Sequence, residues 1–198
     1  MTGLRERKKQ QTQEALSWAA LRLTVERGLN QVLVEDIAEA AGVSPRTFNN
    51  YFSSKAEAIV WRHLNRSLQT AQRLRERPRI EPLWESIAAA LLEPYGDDDR
   101  QPDSQWTAGV KLMLTEPALI GEYLKASMAA ERECAAAIAE RIGAAPVDMY
   151  PQLVAAAMDA ARRTAVEQWL RADPPNQLGP LLREALRQIA AGLPDPSA

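Results

Sequence analysis

The segment AGVSPRTFNNYFSSKAEAI, residues 41–59, most limits what this 198-residue chain can fold into, because it ends one helix and begins two others within a few residues. Gly42 is typical of a left-handed helix end. Ser44 followed by Pro45 is a strong helix start, because the Ser hydroxyl can cap the first turn and Pro fits the first helical position. The helix that begins there is too short to be stable alone in water, so its neighbours must hold it in place.

The apolar and polar side chains of this short helix fall on different faces. Val43 lies just before the cap and Phe48 at the fourth helical position, which is the spacing of a hydrophobic staple. Phe48 and Phe52 are one turn apart, and we expect both to point into a core. The side chains left on the outer face are Arg46, Thr47, Asn49 and Asn50. The helix therefore offers polar groups to something outside the fold.

Helical spacing of apolar residues continues along the rest of the chain, without convincing strand signals. The predicted fold class is all-α. Helices are expected over about 5–27, 34–41, a few residues from 45, 54–77, 83–93, 105–114, 117–142, 148–170 and 178–191. The stretches EPYGDDDRQPDS and RADPPNQLG are interpreted as loops, and GLPDPSA as a frayed end.

Two short helices joined by a glycine-containing turn, with polar side chains on the second, fit the major groove of DNA. Arg46 can reach a phosphate or a guanine edge, while Asn49 and Asn50 can pair with adenine. Tyr51 and Lys55 are suited to phosphate oxygens. The alternative is an ordinary helix boundary whose polar residues are simply hydrated.

The net charge of −2 conceals an uneven distribution. Residues 1–80 hold 14 Lys and Arg against 8 Asp and Glu, whereas residues 81–198 hold 10 against 18. A basic N-terminal part beside an acidic remainder indicates that one end meets a polyanion. The N-terminal arm carries Arg5, Arg7, Lys8 and Lys9. This arm could follow a DNA backbone or enter a minor groove, or it could be a solvated tail.

The run QVLVEDIAEAAGVSPRTFNNYFSSKAEAI, with ALSWAALRLTVERG before it, resembles the DNA-binding domain of TetR-type transcriptional regulators. The resemblance covers about residues 5–59. It implies a helix-turn-helix domain over 1–54 and a helical ligand-binding and dimerisation domain over 55–198. It also implies a homodimer, most often a repressor, that binds a palindromic double-stranded operator and releases it on capturing a small molecule. The family's DNA-contacting positions fall here on Ser44, Pro45, Arg46, Thr47, Asn49, Asn50, Tyr51 and Lys55.

Two positions depart from the family pattern. Leu33 stands where Thr often caps the second helix and touches a phosphate, and Thr24 stands where Phe is common. Because a Leu side chain cannot cap, we expect a weaker phosphate contact at that helix. Glu35 and Asp36 should partly compensate through the helix dipole.

The C-terminal stretch GVKLMLTEPALIGEYLKASMAAERECAAAIAERIG is similar to the subgroup of mycofactocin-system and related regulators associated with acyl-CoA-like or other lipidic ligands. Six large or adaptable side chains together suggest an apolar cavity: Trp84, Trp106, Met113, Tyr123, Met128 and Met158. Arg132 and Arg162 are candidate partners for an anionic head group. Taken singly, each of the six also fits an ordinary core.

The last two helices carry apolar stripes wider than a solvent-facing helix needs. Five residues are expected at a two-fold, four-helix dimer interface: Met158, Trp169, Leu182, Leu186 and Ile189. Two reading helices about one DNA turn apart, roughly 34–36 Å, would then combine their affinity. The alternative is that both stripes pack only within one chain.

Other classes of protein find little support in the sequence. No nucleophile, phosphate-loop or paired metal-ligand motif is present, so we expect neither an enzyme nor a cofactor. The remaining candidate groups are interpreted as a structural His63, solvated Asp97, Asp98 and Asp99, and an inert Cys134. The absence of long apolar runs, of a signal sequence and of a second cysteine favours a cytoplasmic protein without a membrane segment. One alternative left open is a helical protein–protein interaction module that does not bind DNA.

Overall fold

The computed structural model describes residues 2–95, 104–172 and 177–193. Over these residues the chain forms nine α-helices and no strand, which confirms the all-α prediction. The helices are α1 (Thr2–Arg27), α2 (Val34–Ala40), α3 (Pro45–Tyr51), α4 (Lys55–Glu76), α5 (Leu83–Leu92), α6 (Ser104–Thr115), α7 (Pro117–Ile142), α8 (Met149–Arg171) and α9 (Leu178–Ala190). The three aspartates at 97–99 and most of the predicted loop and tail residues lie outside the described ranges.

Backbone contacts divide the chain into two compact units, and each is described by itself. The first unit comprises Met1–Asn65 and Asp103–Ala126, and the second comprises Arg66–Pro102 and Ser127–Ala198. Helices α4 and α7 therefore contribute residues to both units. The functional division at residue 55 stays a prediction.

The core of the first unit is built around α1 and closed by α3. Phe48 and Phe52 are 0% and 2% exposed, with ring centroids 5.7 Å apart. They belong to one cluster with Leu16 of α1, Ile37 of α2 and Ile59 of α4. The inward orientation expected for both phenylalanines is thus confirmed, and α3 is held by contacts made far from it in sequence.

Helix α6 crosses α1 closely in the same unit. A Cβ atom added at Gly109 would lie 2.7 Å from Cδ2 of the buried Leu21, closer than two carbon atoms can approach without a shift. Glycine therefore permits this helix approach. The turn at Gly42 also needs glycine, because its φ of 68° lies in the left-handed region.

The second unit is centred on the packing of α9 against α8 and α5. Helix α9 buries Leu178, Leu182 and Leu186, which recur every four residues on one face. On α8, Trp169 is fully buried and Met158 is 4% exposed. The two terminal helices therefore cover much of each other's apolar surface within one chain.

Truncating Phe48 tests how strongly α3 depends on this core. We expect Phe48→Ala to lower the free energy of unfolding by about 3–5 kcal/mol, because it removes a fully buried ring and leaves a cavity. Urea denaturation followed by circular dichroism measures the change. Leu33→Ala is the matched control, since Leu33 is 60% exposed, and it should stay within about 0.5 kcal/mol of the parent. Equal unfolding midpoints for the two variants would contradict this account of the core.

Candidate functional site

The start of α3 is fixed by its cap. Ser44 has extended backbone angles, and its Oγ accepts a hydrogen bond from the Thr47 amide at 3.1 Å. The two hydroxyl oxygens of Ser44 and Thr47 are also 2.9 Å apart. Pro45 occupies the first helical position, where no amide hydrogen is needed. The local sequence thus sets where the helix begins.

The outward face of α3 is polar and accessible. Most of the predicted DNA contacts on this segment are exposed, namely Ser44, Pro45, Arg46, Asn49 and Asn50, while Thr47 and Tyr51 are partly buried. Arg46, Asn49 and Asn50 make no hydrogen bond or ion pair within the described part of the chain. Their hydrogen-bond donors and acceptors therefore remain available. Arginine and asparagine are the side chains that pair with the guanine and adenine edges in a major groove.

Lys55 has a different environment from these residues. Its Nζ donates to the carbonyl oxygens of Leu29 at 2.9 Å and Val32 at 2.6 Å, so two of its three ammonium hydrogens are used inside the fold. This interaction ties the first turn of α4 to the segment that precedes α2. The predicted phosphate contact of Lys55 would have to be made through the third hydrogen.

The start of α2 is capped without the side chain of Leu33. The Leu33 amide donates to Asp36 Oδ2 at 2.8 Å, and Asp36 also lies 3.9 Å from the Arg27 guanidinium. The compensation expected from Asp36 is therefore made through a hydrogen bond, in addition to any effect of the helix dipole. The Leu33 side chain itself is left exposed.

The basic N-terminal arm is helical from Thr2 onward, so it is the first part of α1 rather than an irregular tail. Its four cations, Arg5, Arg7, Lys8 and Lys9, are all exposed. A helix with its side chains is about 10–12 Å wide, whereas a minor groove is about 6 Å wide. In this conformation the arm can approach phosphates but cannot enter a minor groove.

The second unit contains a cavity between its helices. Its lining includes Ser67 and Thr70 of α4, Leu91 of α5, Glu131 and Cys134 of α7, and Ala155, Met158, Asp159 and Arg162 of α8. The cavity has a volume of only about 30 Å³ that the centre of a water-sized molecule can occupy, which suffices for water and not for an alkyl chain. Burial raises the pKa of the Cys134 thiol to about 11, so this thiol is protonated at neutral pH and poorly reactive.

The six predicted ligand-contacting residues are divided between the two units. Only Met158 of the six lines the cavity just described. In the second unit Trp84 is partly buried, and Met128 is 57% exposed. In the first unit Met113 is 9% exposed, and Tyr123 packs on His63 with ring centroids 4.8 Å apart. Trp106, also in the first unit, is partly buried.

The predicted dimer residues are mostly covered by their own chain. Met158, Trp169, Leu182 and Leu186 are each at most 4% exposed, and Ile189 is partly exposed. Their burial therefore follows from packing within one chain. Sequence periodicity identified the apolar faces but could not distinguish packing within a chain from packing between chains.

Among the described residues, no three His, Cys, Asp or Glu side chains are arranged to hold a metal ion. Over the same residues, no helix is long and apolar enough to cross a membrane.

Comparison with known proteins identifies both parts of the chain. Residues 18–58 match the family model of bacterial regulatory proteins of the tetR family, and residues 81–194 match that of the MftR C-terminal domain. The chain is 33% identical over 190 residues to a protein assigned as mycofactocin biosynthesis transcriptional regulator MftR of Mycobacterium tuberculosis, covering 94% of this chain and 93% of that protein. This chain belongs to the TetR family.

Further relatives agree with this assignment. The chain is 32% identical over 178 residues to the HTH-type transcriptional regulator TcmR of Streptomyces glaucescens, covering 86% of this chain and 79% of that protein. Its fold is also similar to that of the fatty acid degradation regulator FadR of Bacillus halodurans, with a TM-score of 0.60, 18% identity, and coverage of 92% of this chain and 96% of that one.

Membership of the TetR family decides the broad function. The protein is a DNA-binding transcriptional regulator and belongs to a family of non-enzymes. Sensing of a small molecule is typical of this family. A helical interaction module without DNA binding is not favoured.

Replacing Lys55 distinguishes an internal tie from a phosphate contact. We expect Lys55→Met to lower the free energy of unfolding by about 1–3 kcal/mol, because two carbonyl oxygens lose a charged donor. We also expect the dependence of log DNA affinity on log salt concentration to keep its slope. Urea denaturation and fluorescence anisotropy at several salt concentrations measure the two effects.

The control for this variant is Lys125→Met, since the Lys125 side chain is 74% exposed, and its stability should change by less than about 0.5 kcal/mol. A Lys55→Met protein of unchanged stability, with a salt slope reduced by about 1, would instead show that Lys55 contacts a phosphate.

Proposed function

We propose that this TetR-family protein is a cytoplasmic, homodimeric repressor that binds a palindromic operator and is released by a small, apolar or acyl-type ligand. The observation that carries the DNA-reading part is the outward face of α3, where Arg46, Asn49 and Asn50 are exposed and unpartnered within the described residues. Because the capped helix already fixes the backbone that carries these side chains, binding orders only the side chains themselves, which favours specific contacts. The buried free thiol of Cys134 is compatible with a reducing compartment.

Substituting Arg46 tests the assignment of α3 as the reading helix. The operator is first selected from random-sequence DNA and its affinity is measured by fluorescence anisotropy. We expect Arg46→Ala to weaken operator binding by about 1–3 kcal/mol and to relax sequence choice at one base pair of each half-site. Arg132→Ala, an exposed change on α7, is the control and should bind the operator as the parent does.

Equal weakening by Arg46→Ala on operator and scrambled DNA would make Arg46 a phosphate contact. Failure of the parent to select any sequence would remove the operator-binding proposal.

A two-fold dimer is supported by an apolar surface left on α8. The outer face of this helix, on the side away from the buried Trp169, carries Met149, Leu153, Ala156, Ala160 and Thr164, spaced at three or four residues. Leu153 is 60% and Met149 is 77% exposed, and with the neighbouring alanines they form one contiguous, mostly apolar face of the kind that a partner covers. On α9, Leu181, Ala185 and Ile189 form a partly exposed stripe. The small residues on α8 would let a second copy approach closely.

Introducing a charge on the outer face of α8 tests the dimer. We expect Leu153→Glu to convert the dimer into a monomer at micromolar concentration, because the carboxylate would be buried without a partner in the interface. Sedimentation equilibrium measures the mass. The control is Arg183→Glu, an exposed position on α9 outside the apolar stripe, which should leave the dimer intact. Unchanged association of Leu153→Glu would place the interface elsewhere.

Release by a ligand is supported by the position of the cavity along α4. Its walls include Ser67 and Thr70, which belong to the same continuous helix that begins at Lys55, just after α3. Because the cavity is so small, an alkyl ligand would enter it only by displacing the side chains or helices around it. Movement of α4 would then also shift its first turn, where Lys55 binds the carbonyl oxygens of the segment before α2. The shift can be no larger than the ligand's difference in affinity for the two states.

A further inference from the structure

Two cavities of the second unit follow one another along the same pair of helices. The first, described above, is lined by Thr70 of α4 and Cys134 of α7, among others. The second is lined by Arg75 near the end of α4 and by Arg141 near the end of α7. On α4 the lining moves from Thr70 to Arg75, which is five residues, and on α7 it moves from Cys134 to Arg141, which is seven. At about 1.5 Å per residue the two cavities are therefore roughly 8–11 Å apart along the helices.

The two cavities differ in chemistry. Four apolar side chains line part of the first cavity: Leu91, Cys134, Ala155 and Met158. The second has a volume of about 40 Å³ on the same measure and is lined by Leu74, Arg75, Arg79, Ala137, Glu140 and Arg141. Its three guanidinium groups face a single carboxylate. Even when Glu133, which pairs with Arg75 from outside the lining, is included, positive charge remains in excess.

Arg141 is fixed in place by neutral oxygens. Its guanidinium donates to the carbonyl oxygens of Arg77 at 3.1 Å, Pro78 at 2.5 Å and Glu81 at 2.9 Å, and to Ser86 Oγ at 2.8 Å. These acceptors satisfy hydrogen bonds, but they carry no formal charge. The positive charge of Arg141 is therefore held beside the cavity by neutral acceptors, and the carboxylate that it influences, Glu81, is already paired with Arg77 at 2.7 Å.

Arg75 and Arg79 complete the arginine cluster. Arg75 is oriented by Glu140, whose carboxylate oxygens lie 3.0 and 3.2 Å from its Nε, and by Glu133 at 3.4 Å from its Nη2. Arg79 is exposed and forms no ion pair or hydrogen bond with any described residue. The cluster thus combines two oriented guanidinium groups with a third that is free to close on a ligand.

We propose that the arginine cavity, formed by Arg75, Arg79 and Arg141, binds a phosphate-type anionic head group of an amphipathic effector whose apolar end enters the first cavity. The planar guanidinium fork matches phosphate oxygens and forms charge-assisted hydrogen bonds with them. The proposal rests on the ligand-responsive function proposed above and specifies the class of ligand.

The sequence suggested other arginines for this role. Arg162 lies beside the first cavity but pairs with Asp159 at 2.6 Å, so its charge is already compensated. Arg132 is exposed on α7 and lines neither cavity. The anion subsite is therefore placed at the far end of α4 and α7 instead.

Three probes separate the contributions of head and tail. Decyl phosphate carries both, decanol carries the same chain without charge, and inorganic pyrophosphate carries the charge without a chain. Isothermal titration calorimetry on the full-length protein, below the micelle concentration and at low salt, measures each affinity. We expect decyl phosphate to bind about tenfold or more tightly than either of the other two, since the extra charged contacts are lost with decanol and the burial of the chain is lost with pyrophosphate.

The decisive variant is Arg79→Gln, because this exposed side chain has no structural bonds to lose. We expect Arg79→Gln to lower the affinity for decyl phosphate about tenfold and to leave the affinity for decanol unchanged. Arg132→Gln is the matched control, with the same change on an exposed residue of α7, and it should bind all three probes as the parent does.

Three results would overturn the subsite: equal binding of decyl phosphate by Arg79→Gln and the parent, decanol or pyrophosphate binding as tightly as decyl phosphate, or no binding of decyl phosphate at all. Operator binding measured on the same preparations keeps the two proposals apart. If decyl phosphate binds through Arg79 but operator affinity does not change, the subsite stands and ligand-driven release fails. If the operator binds and decyl phosphate does not, the subsite fails and the operator-binding proposal stands.

Discussion

The burial of Phe48 and Phe52 is the interaction on which the first unit depends. Helix α3 has only seven residues, too few for its own hydrogen bonds to repay the cost of nucleation. Both rings are almost completely buried against residues of α1, α2 and α4. Because the rings fix the inner face of α3, the polar outer face has one defined orientation, and the reading function proposed for Arg46, Asn49 and Asn50 requires that orientation.

The polar groups around α3 fall into two kinds. Some are used inside the fold: Ser44 caps α3, Asp36 caps α2, and Lys55 binds the carbonyl oxygens of Leu29 and Val32. The others, on the outer face, have no partner within the described residues. The first kind stabilises the geometry and the second kind is left for a ligand such as DNA. Residue type alone does not separate them, since a lysine can do either.

The second unit uses arginine in the same two ways. Arg141 donates hydrogen bonds to backbone carbonyl oxygens between the end of α4 and the start of α5, so it is used inside the fold. Arg79, which lines the same cavity, is exposed and left for a ligand. The hydrogen bonds that Arg141 donates to neutral oxygens fix its positive charge beside the cavity. The neighbouring first cavity has room for little more than a water molecule. A ligand that occupied both cavities would therefore have to change the arrangement of the surrounding groups. Such a change would couple ligand binding to the rest of the chain, as a ligand-responsive regulator requires.

The sequence by itself determined the helices, the start of α3 and its inner and outer faces. These features follow from caps, glycines and apolar spacing within a few residues, so local rules were sufficient for Ser44, Phe48 and Gly42. The tertiary structure alone decided which polar groups are occupied. The acceptors of Lys55 lie 23 and 26 residues away in sequence, and those of Arg141 lie 55–64 residues away. It also decided that Met158, Trp169, Leu182 and Leu186 are covered within one chain, because an apolar stripe encodes burial but does not specify the surface that buries it.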